Sequence, residues 1–269
     1  MFFVSHWGFS LLPAKSSQLE FFLASIIDAV RINVVTRQET AGKVIWHKQR
    51  RPWMDGIIWC GNIFLRLSRS RIIMFPNCCQ WVEWEMHCCQ LLYTEVQTQV
   101  VGDRGFWVEA LPGQSLLQHH NQGTLTLPMF QAAAREFRRA HSIYCPQLAD
   151  YWSHGDPHLA NVLYDTESQR ACLIDFETQH EAHLSSCDRH ADDLLVFILD
   201  TIGRTSATDW LAYCQEFLQT YGNRAVIDSL KDRLELPDGW ERVLWATRTN
   251  YLPSPELKSR LQLLKASIR

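Results

Sequence analysis

Several things are scarce in this 269-residue chain, and each scarcity excludes a class. Glycine (12) and proline (10) are too few for a fibrous or low-complexity protein. No stretch approaches the roughly 18 uninterrupted apolar residues that a membrane-spanning helix needs. The formal net charge of −3 is too small to imply nucleic-acid or membrane binding by itself, and no nucleic-acid partner is expected. Nine cysteines are an odd number, and the adjacent pairs Cys78–Cys79 and Cys88–Cys89 do not suit a disulfide framework. Neighbours on a helix point about 100° apart, so both members of such a pair rarely reach one metal ion; buried free thiols in a reducing compartment are expected instead. The apolar opening Met1–Pro13 has no basic region ahead of it and no small-x-small cleavage site, so it is not read as a signal peptide. The expectation is a cytoplasmic protein.

What is present is an ordinary globular balance, 46% apolar and 20% charged, with enough apolar surface to offset the entropy of ordering. Ser17-Gln-Leu-Glu20 reads as a capping box opening a helix to about Val30. Arg31–Thr36 and Val44–Gln49 read as strands about an Ala41-Gly42 turn. Ile57–Leu67 and Arg71–Phe75 are further strand candidates, the first open to a helical reading. Pro76-Asn77 starts a helix to about Tyr93, and Gln97–Val101 with Gly105–Ala110 forms a hairpin. Beyond this the pattern is helical at 128–141, 191–203, 208–221 and 255–267, with two short strands at Asn161–Tyr164 and Ala171–Asp175. A strand-rich front and a helix-rich back imply an α+β protein of two lobes, 1–110 and 111–269, with a cleft between them.

Charge is unevenly distributed. Residues 31–75 hold nine Lys/Arg against Glu39 and Asp55, a local excess of seven positive charges in a chain that is negative as a whole. Such a segment suits an anionic ligand, either phosphates or an acidic lipid surface, although a solvated strand surface has the same composition.

The most informative stretch is His154-Gly-Asp156-Pro-His-Leu-Ala-Asn161-Val-Leu-Tyr, followed by Cys172-Leu-Ile-Asp175-Phe-Glu177. A His-x-Asp-x4-Asn match arises by chance in roughly one chain of this length in a hundred, and the apolar strands required after it lower that much further. Phosphoryl transfer needs an acceptor hydroxyl held in line and Mg²⁺ on the phosphate oxygens. Asp156 would accept or orient the hydroxyl proton, while Asn161 and Asp175 would supply hard oxygen ligands to the metal. His154 reads as a buttress of the loop, and His158 as a loop histidine.

These residues resemble the protein-kinase-like superfamily, in its aminoglycoside and choline phosphotransferase and lipopolysaccharide-core (Kdo) kinase branches. The resemblance covers about 45–200 and implies a two-lobed protein-kinase-like fold, with a small strand-rich N-lobe holding one main helix and a larger helical C-lobe. It also implies ATP and Mg²⁺ as cofactors. Phe106-Trp-Val-Glu109-Ala-Leu-Pro-Gly113 looks like the hinge, where the backbone of Glu109 to Leu111 would contact adenine. Glu85 is the expected glutamate of the main N-lobe helix, with Glu83 its rival. Lys48 is the expected phosphate-contacting lysine, sharing a strand face with Val44 and Trp46, and Lys43 is the alternative. Two departures stand out. There is no Gly-x-Gly-x-x-Gly loop, and Pro157 follows the proposed base, removing one N–H.

The segment Arg50–Arg71 is basic and rich in Trp, Ile and Phe, and is similar to the insertion of Kdo and heptose kinases. The implied acceptor is an alcohol on a sugar, a glycolipid or another small molecule, with peripheral contact at an anionic inner-membrane face. An aminoglycoside- or choline-type kinase and a pseudokinase or interaction module are the alternatives. The acidic group Asp188, Asp192 and Asp193 would stabilise a helix N-terminus or receive a cationic substrate.

Overall fold

The structure is a computed structural model, and the residues it describes are 33–40, 42–67, 70–205, 208–237, 239, 245 and 252–268. The helix expected at Ser17–Val30 lies outside them. Asn33–Thr40 (β1) and Lys43–Arg50 (β2) form the expected hairpin, turned at Gly42 with φ +76°. Thr98–Val101 (β4) and Gly105–Glu109 (β5) form the second hairpin, and β5 pairs with β2, giving an antiparallel sheet in the order β1-β2-β5-β4. Lys48 therefore sits opposite Phe106, within the sheet.

Met54–Leu67 is a helix, α1, which corrects the strand first considered for Ile57–Leu67. The reason is spacing: Met54, Ile58 and Leu65 recur on one helical face and are its buried residues, and Asp55 occupies the first turn. The inner face of α1 is tied to the short strand Ile72–Met74 (β3) by Asn62, which donates to the Met74 carbonyl at 2.7 Å and accepts the Met74 N–H at 2.9 Å. Cys78–Leu92 (α2) begins where Pro76-Asn77 signalled, with Asn77 accepting the N–H groups of Cys79 and Gln80 at 2.8 and 3.2 Å. Its inner face meets the sheet through Trp81, Val82 and Phe106.

After β5 the chain enters the helical region. Gln114–Ser115 (β6), Val162–Asp165 (β9) and Arg170–Leu173 (β10) make a small antiparallel sheet in the order β10-β9-β6. Gly113, at φ +104°, lies so close to the Tyr164 carbonyl that a Cβ there would collide with it. The α-helices of this region among the described residues are Leu116–Asn121 (α3), Leu127–Ala140 (α4), Ser186–Arg204 (α5), Trp210–Tyr221 (α6), Arg224–Lys231 (α7) and Ser254–Ser267 (α8). Every residue of α5 from Arg189 to Gly203 is buried, so this helix is the axis of the region, packed through Phe197 on Phe130 and Phe137 of α4 and Phe217 of α6. Tyr144–Cys145 (β7) and Asp150–Tyr151 (β8) form a short ladder ahead of the His154 loop.

One pairing joins the two regions. Thr178–His180 (β11) runs antiparallel to β3, with Thr178 opposite Met74 and His180 opposite Ile72. All nine cysteines are free, as expected, and five are buried, but Cys60 and Cys79 are exposed. No described helix is long and apolar enough to cross a membrane.

Candidate active site

Strand β2 delivers Lys48 and helix α2 delivers Glu85 to one buried pair beside the segment that follows β10. The Lys48 ammonium bonds both oxygens of Glu85, at 2.9 and 3.0 Å, and also reaches Asp175 Oδ1. Burial works against its charge, but Asp175, Glu85 and Glu177 together hold its pKa well above the usual lysine value. Glu85 is buried too, and burial raises its pKa despite the lysine beside it. Its rival Glu83 is on an exposed position of α2, and Lys43 pairs instead with Glu109 at the surface, at 2.9 Å.

Asp175 follows β10 with φ +71°, a left-handed conformation that a non-glycine residue adopts at a cost of about 1–3 kcal/mol unless its surroundings fix it. They do so here on both sides. The Phe176 N–H donates to Glu85 Oε2 at 3.2 Å, and the Ile174 N–H donates to the Asn161 carbonyl at 3.0 Å. Burial would raise the Asp175 pKa, but Lys48 and then His158 and His154 hold it below the usual carboxylate value.

The loop carrying Asp156 is built onto the same backbone. His154 Nε2 lies 3.0 Å from the Ile174 carbonyl and its Nδ1 accepts the Asp156 N–H at 3.3 Å, which fits the buttress expected of it. Asn161 Nδ2 donates to the Asp156 carbonyl at 3.0 Å. Thus Asp156, Asn161 and Asp175 are linked through one short set of hydrogen bonds. Gly155 has φ +92°, and a Cβ there would stand 2.5 Å from Thr178 Oγ1, so the loop can lie against β11 only with glycine at this position. Glu109 ends β5, where the Ala110 N–H donates to the Val44 carbonyl at 2.9 Å, and Leu111 follows it toward Gly113.

The sequence assigns no role to Glu177 or Asn33 and reads Asp193 as stabilising a helix start or receiving a cation; the structure places all three at this site. Glu177 brings a third carboxylate: ligand atoms of Glu85, Asp175 and Glu177 lie within 4.8 Å of one another. Burial and then Asp175 push the Glu177 pKa up to about 8. Asn33 donates to Glu177 Oε1 while its own Oδ1 is buried without a hydrogen-bond partner. Asp193 of α5 accepts the backbone N–H groups of His154 and Gly155, at 2.8 and 2.7 Å, and lies 3.1 Å from His141 Nε2. Burial alone would raise its pKa, but His180, His141 and His154 outweigh that and hold it well below the usual range. Its place directly before the apolar run Leu194–Leu199 was the available signal, since a carboxylate that enters a core with such a run needs partners.

Three crowded carboxylates facing one ammonium, with an amide and an orphaned amide oxygen nearby, form a hard-oxygen donor set with surplus negative charge. That composition fits Mg²⁺. Glu85 is already engaged by Lys48, Trp81 Nε1 and the Phe176 N–H, which leaves Asp175, Glu177 and Asn161 as the ligands on offer.

No protein-family model and no curated protein matches the chain. Solved structures do. An ethanolamine kinase of Plasmodium vivax aligns with 88% of this chain and 80% of its own, with a TM-score of 0.50 at 9% identity. Spectinomycin phosphotransferase APH(9)-Ia, solved with ADP and spectinomycin, aligns over 90% and 87% with a TM-score of 0.41 and 14% identity. The streptomycin–ATP ternary complex of APH(2″)-IIa aligns over 94% and 97%, at 0.42 and 13%. With the element order described, the first of these defines the architecture as the α+β, two-lobed protein-kinase-like fold. At such identities the likeness is one of fold.

Proposed function

We propose that this chain is an ATP- and Mg²⁺-dependent phosphotransferase that moves the γ-phosphoryl group to an alcohol of a sugar or glycolipid acceptor. The observation that carries the reading is Lys48 held by Glu85 and Asp175, with the Asp156 loop hydrogen-bonded to the same segment. In this reading residues 1–110 form the nucleotide-binding lobe and 111–269 the catalytic lobe. Backbone groups from Glu109 to Leu111 receive adenine, and Lys48, oriented by Glu85, contacts the phosphates. Asp175, Asn161 and Glu177 hold Mg²⁺, which when bound neutralises charge on the phosphate oxygens. Asp156 orients the acceptor hydroxyl and takes its proton; the hydroxyl oxygen forms the new P–O bond as the bridging oxygen leaves with ADP.

The acceptor class rests on how the acidic group at the start of α5 is used. Asp193 anchors the loop, buried Asp192 faces His180 Nε2 at 3.4 Å, and Asp188 is bound by Arg233. None of these carboxylates is left to receive a cationic acceptor, which favours a sugar or glycolipid over an aminoglycoside or choline-like alcohol.

Transfer from labelled ATP across Kdo-type glycolipids, aminoglycosides, choline-like alcohols and a generic protein tests the acceptor. Asp156→Asn is expected to abolish transfer while leaving thermal stabilisation by Mg²⁺–ATP intact. Absence of any Mg²⁺-dependent stabilisation at millimolar ATP would overturn the enzymatic reading in favour of an interaction module.

A further inference from the structure

Five of the thirteen exposed large apolar side chains among the described residues belong to α1 and the residue before it: Trp53, Ile57, Trp59, Ile63 and Leu67. Trp59, Ile63 and Leu67 are spaced four apart and so lie within about 80° of one another on the helix, opposite the buried Met54, Ile58 and Leu65. Trp53, Trp59 and Leu67 are 57%, 61% and 67% exposed. Cys60 and Gly56 fill the same outer face, and Asp55, one turn before Trp59, is the one acidic residue at its edge. This is an amphipathic helix with its second apolar face turned to solvent, far more than the scattered apolar exposure of an ordinary surface.

The charges around it select the occupant. Arg51 precedes the helix and Arg66 lies in its last turn, two turns beyond Trp59 on the same side; both are exposed. The one acidic residue of α1, Asp55, is bound through both oxygens by Arg104 at 2.9 Å, and its charge is thereby cancelled. An apolar crest with two tryptophans and flanking arginines matches the layering of an anionic bilayer surface, where acyl chains, indole-binding interface and phosphates follow one another within a few ångströms. We propose that α1 is a docking helix that lies in the plane of an anionic lipid surface. This deepens the glycolipid reading above and rests on it only for its purpose, since docking itself needs no turnover.

The fold connects this helix to the chemistry. Asn62 binds α1 to β3, β3 pairs with β11, and β11 begins one residue after Glu177. Ile72 of β3 and Thr178 of β11 are also the neighbours that a Cβ on Gly155 would meet. A surface-bound α1 therefore fixes the orientation of the Asp156 loop relative to the lipid, so that a headgroup alcohol is presented to the site from one direction.

The test is co-sedimentation of the full chain with phosphatidylglycerol-containing vesicles and with pure phosphatidylcholine vesicles, without nucleotide. Binding is expected to the anionic vesicles alone, and to weaken at high salt. The double variant Trp59→Glu/Ile63→Glu is expected to lose at least tenfold in partitioning, and Arg51→Glu or Arg66→Glu about fivefold each. All these positions are exposed, so the variants should keep the wild-type melting temperature and any transfer to a water-soluble acceptor. Three results would overturn docking: no vesicle binding by the wild type, as expected if residues 1–32 cover the helix; binding that the double variant retains; or a concentration-dependent dimer that the double variant abolishes, which would assign the face to a second copy. Because vesicle binding is read without ATP, its failure would leave the phosphotransfer reading standing, and failed transfer would leave docking standing.

Discussion

Glu85 accepts two hydrogen bonds from the Lys48 ammonium, at 2.9 and 3.0 Å, 37 residues apart in the chain and in a buried setting. Removing one partner of such a pair leaves the other charge buried and uncompensated, at a cost of about 3–5 kcal/mol. Lys48→Met is therefore expected to lower unfolding free energy by that order and to abolish stabilisation by Mg²⁺–ATP. Lys43, whose side chain is 56% exposed against Glu109, is expected to change stability by less than about 1 kcal/mol when replaced by methionine. Urea unfolding of the two variants decides between the lysines; equal, small effects would mean that neither is the site lysine.

Next to the segment that leads into the Asp156 loop, His190 stacks on His141 with ring centroids 4.0 Å apart and its Nε2 lies 2.9 Å from the Trp152 carbonyl. Burial, and then the neighbouring His141, push its pKa down to about 3. The unfolded chain, with a histidine pKa near 6.5, takes up this proton first. Its contribution to stability is thus complete above about pH 6.5 and is lost as pH falls toward the folded value, with about 2 kcal/mol gone at pH 5. His190→Gln removes the titration while keeping a donor for the Trp152 carbonyl. The difference in unfolding free energy between pH 7.5 and pH 5 is expected to shrink by about that amount in the variant; an unchanged difference would mean that His190 is not buried in its neutral form.

How much of this was legible in the sequence depends on whether a contact is local. The hairpins, the α2 start at Asn77 and the helices around 128–141 and 208–221 follow from caps, turns and periodicity, all written within a few residues. So do Asp156, Asn161 and Asp175, because one loop and one hairpin bring them together. Helix α1 was ambiguous because a run apolar on both faces has no clear period, and only burial of Met54, Ile58 and Leu65 resolves it. Glu177, Asn33 and Asp193 owe their roles to partners 144 and 39 residues away, as in the Asn33–Glu177 and Asp193–His154 bonds. No spacing rule records such pairs. The β3–β11 pairing was equally invisible, since three-residue strands carry too little alternation to signal a partner.

Tyr93, at the end of α2, is tied to α4 and to β10 by contacts far along the chain. Its hydroxyl accepts the Leu173 N–H at 2.6 Å and donates to Glu136 Oε1 at 2.7 Å, and Glu136 is held by Arg139 through two bonds of 2.7 Å. Burial and then Glu136 hold the phenol well above its usual pKa, so it remains a neutral donor. Helix α2 thus grips the segment around Asp175 twice, at Leu173 through Tyr93 and at Phe176 through Glu85, with the left-handed Asp175 between the two grips. Tyr93→Phe leaves a buried N–H and a buried carboxylate short of a partner, a loss of about 2–4 kcal/mol. Loosening one grip should also misplace Asp175, so the Mg²⁺ concentration for half-maximal stabilisation by ATP is expected to rise severalfold. Glu136→Gln keeps an acceptor for the hydroxyl and should shift that midpoint much less. If Tyr93→Phe is destabilised as expected but its Mg²⁺ midpoint stays at the wild-type value, Tyr93 serves packing alone and the grip on Asp175 comes from Glu85.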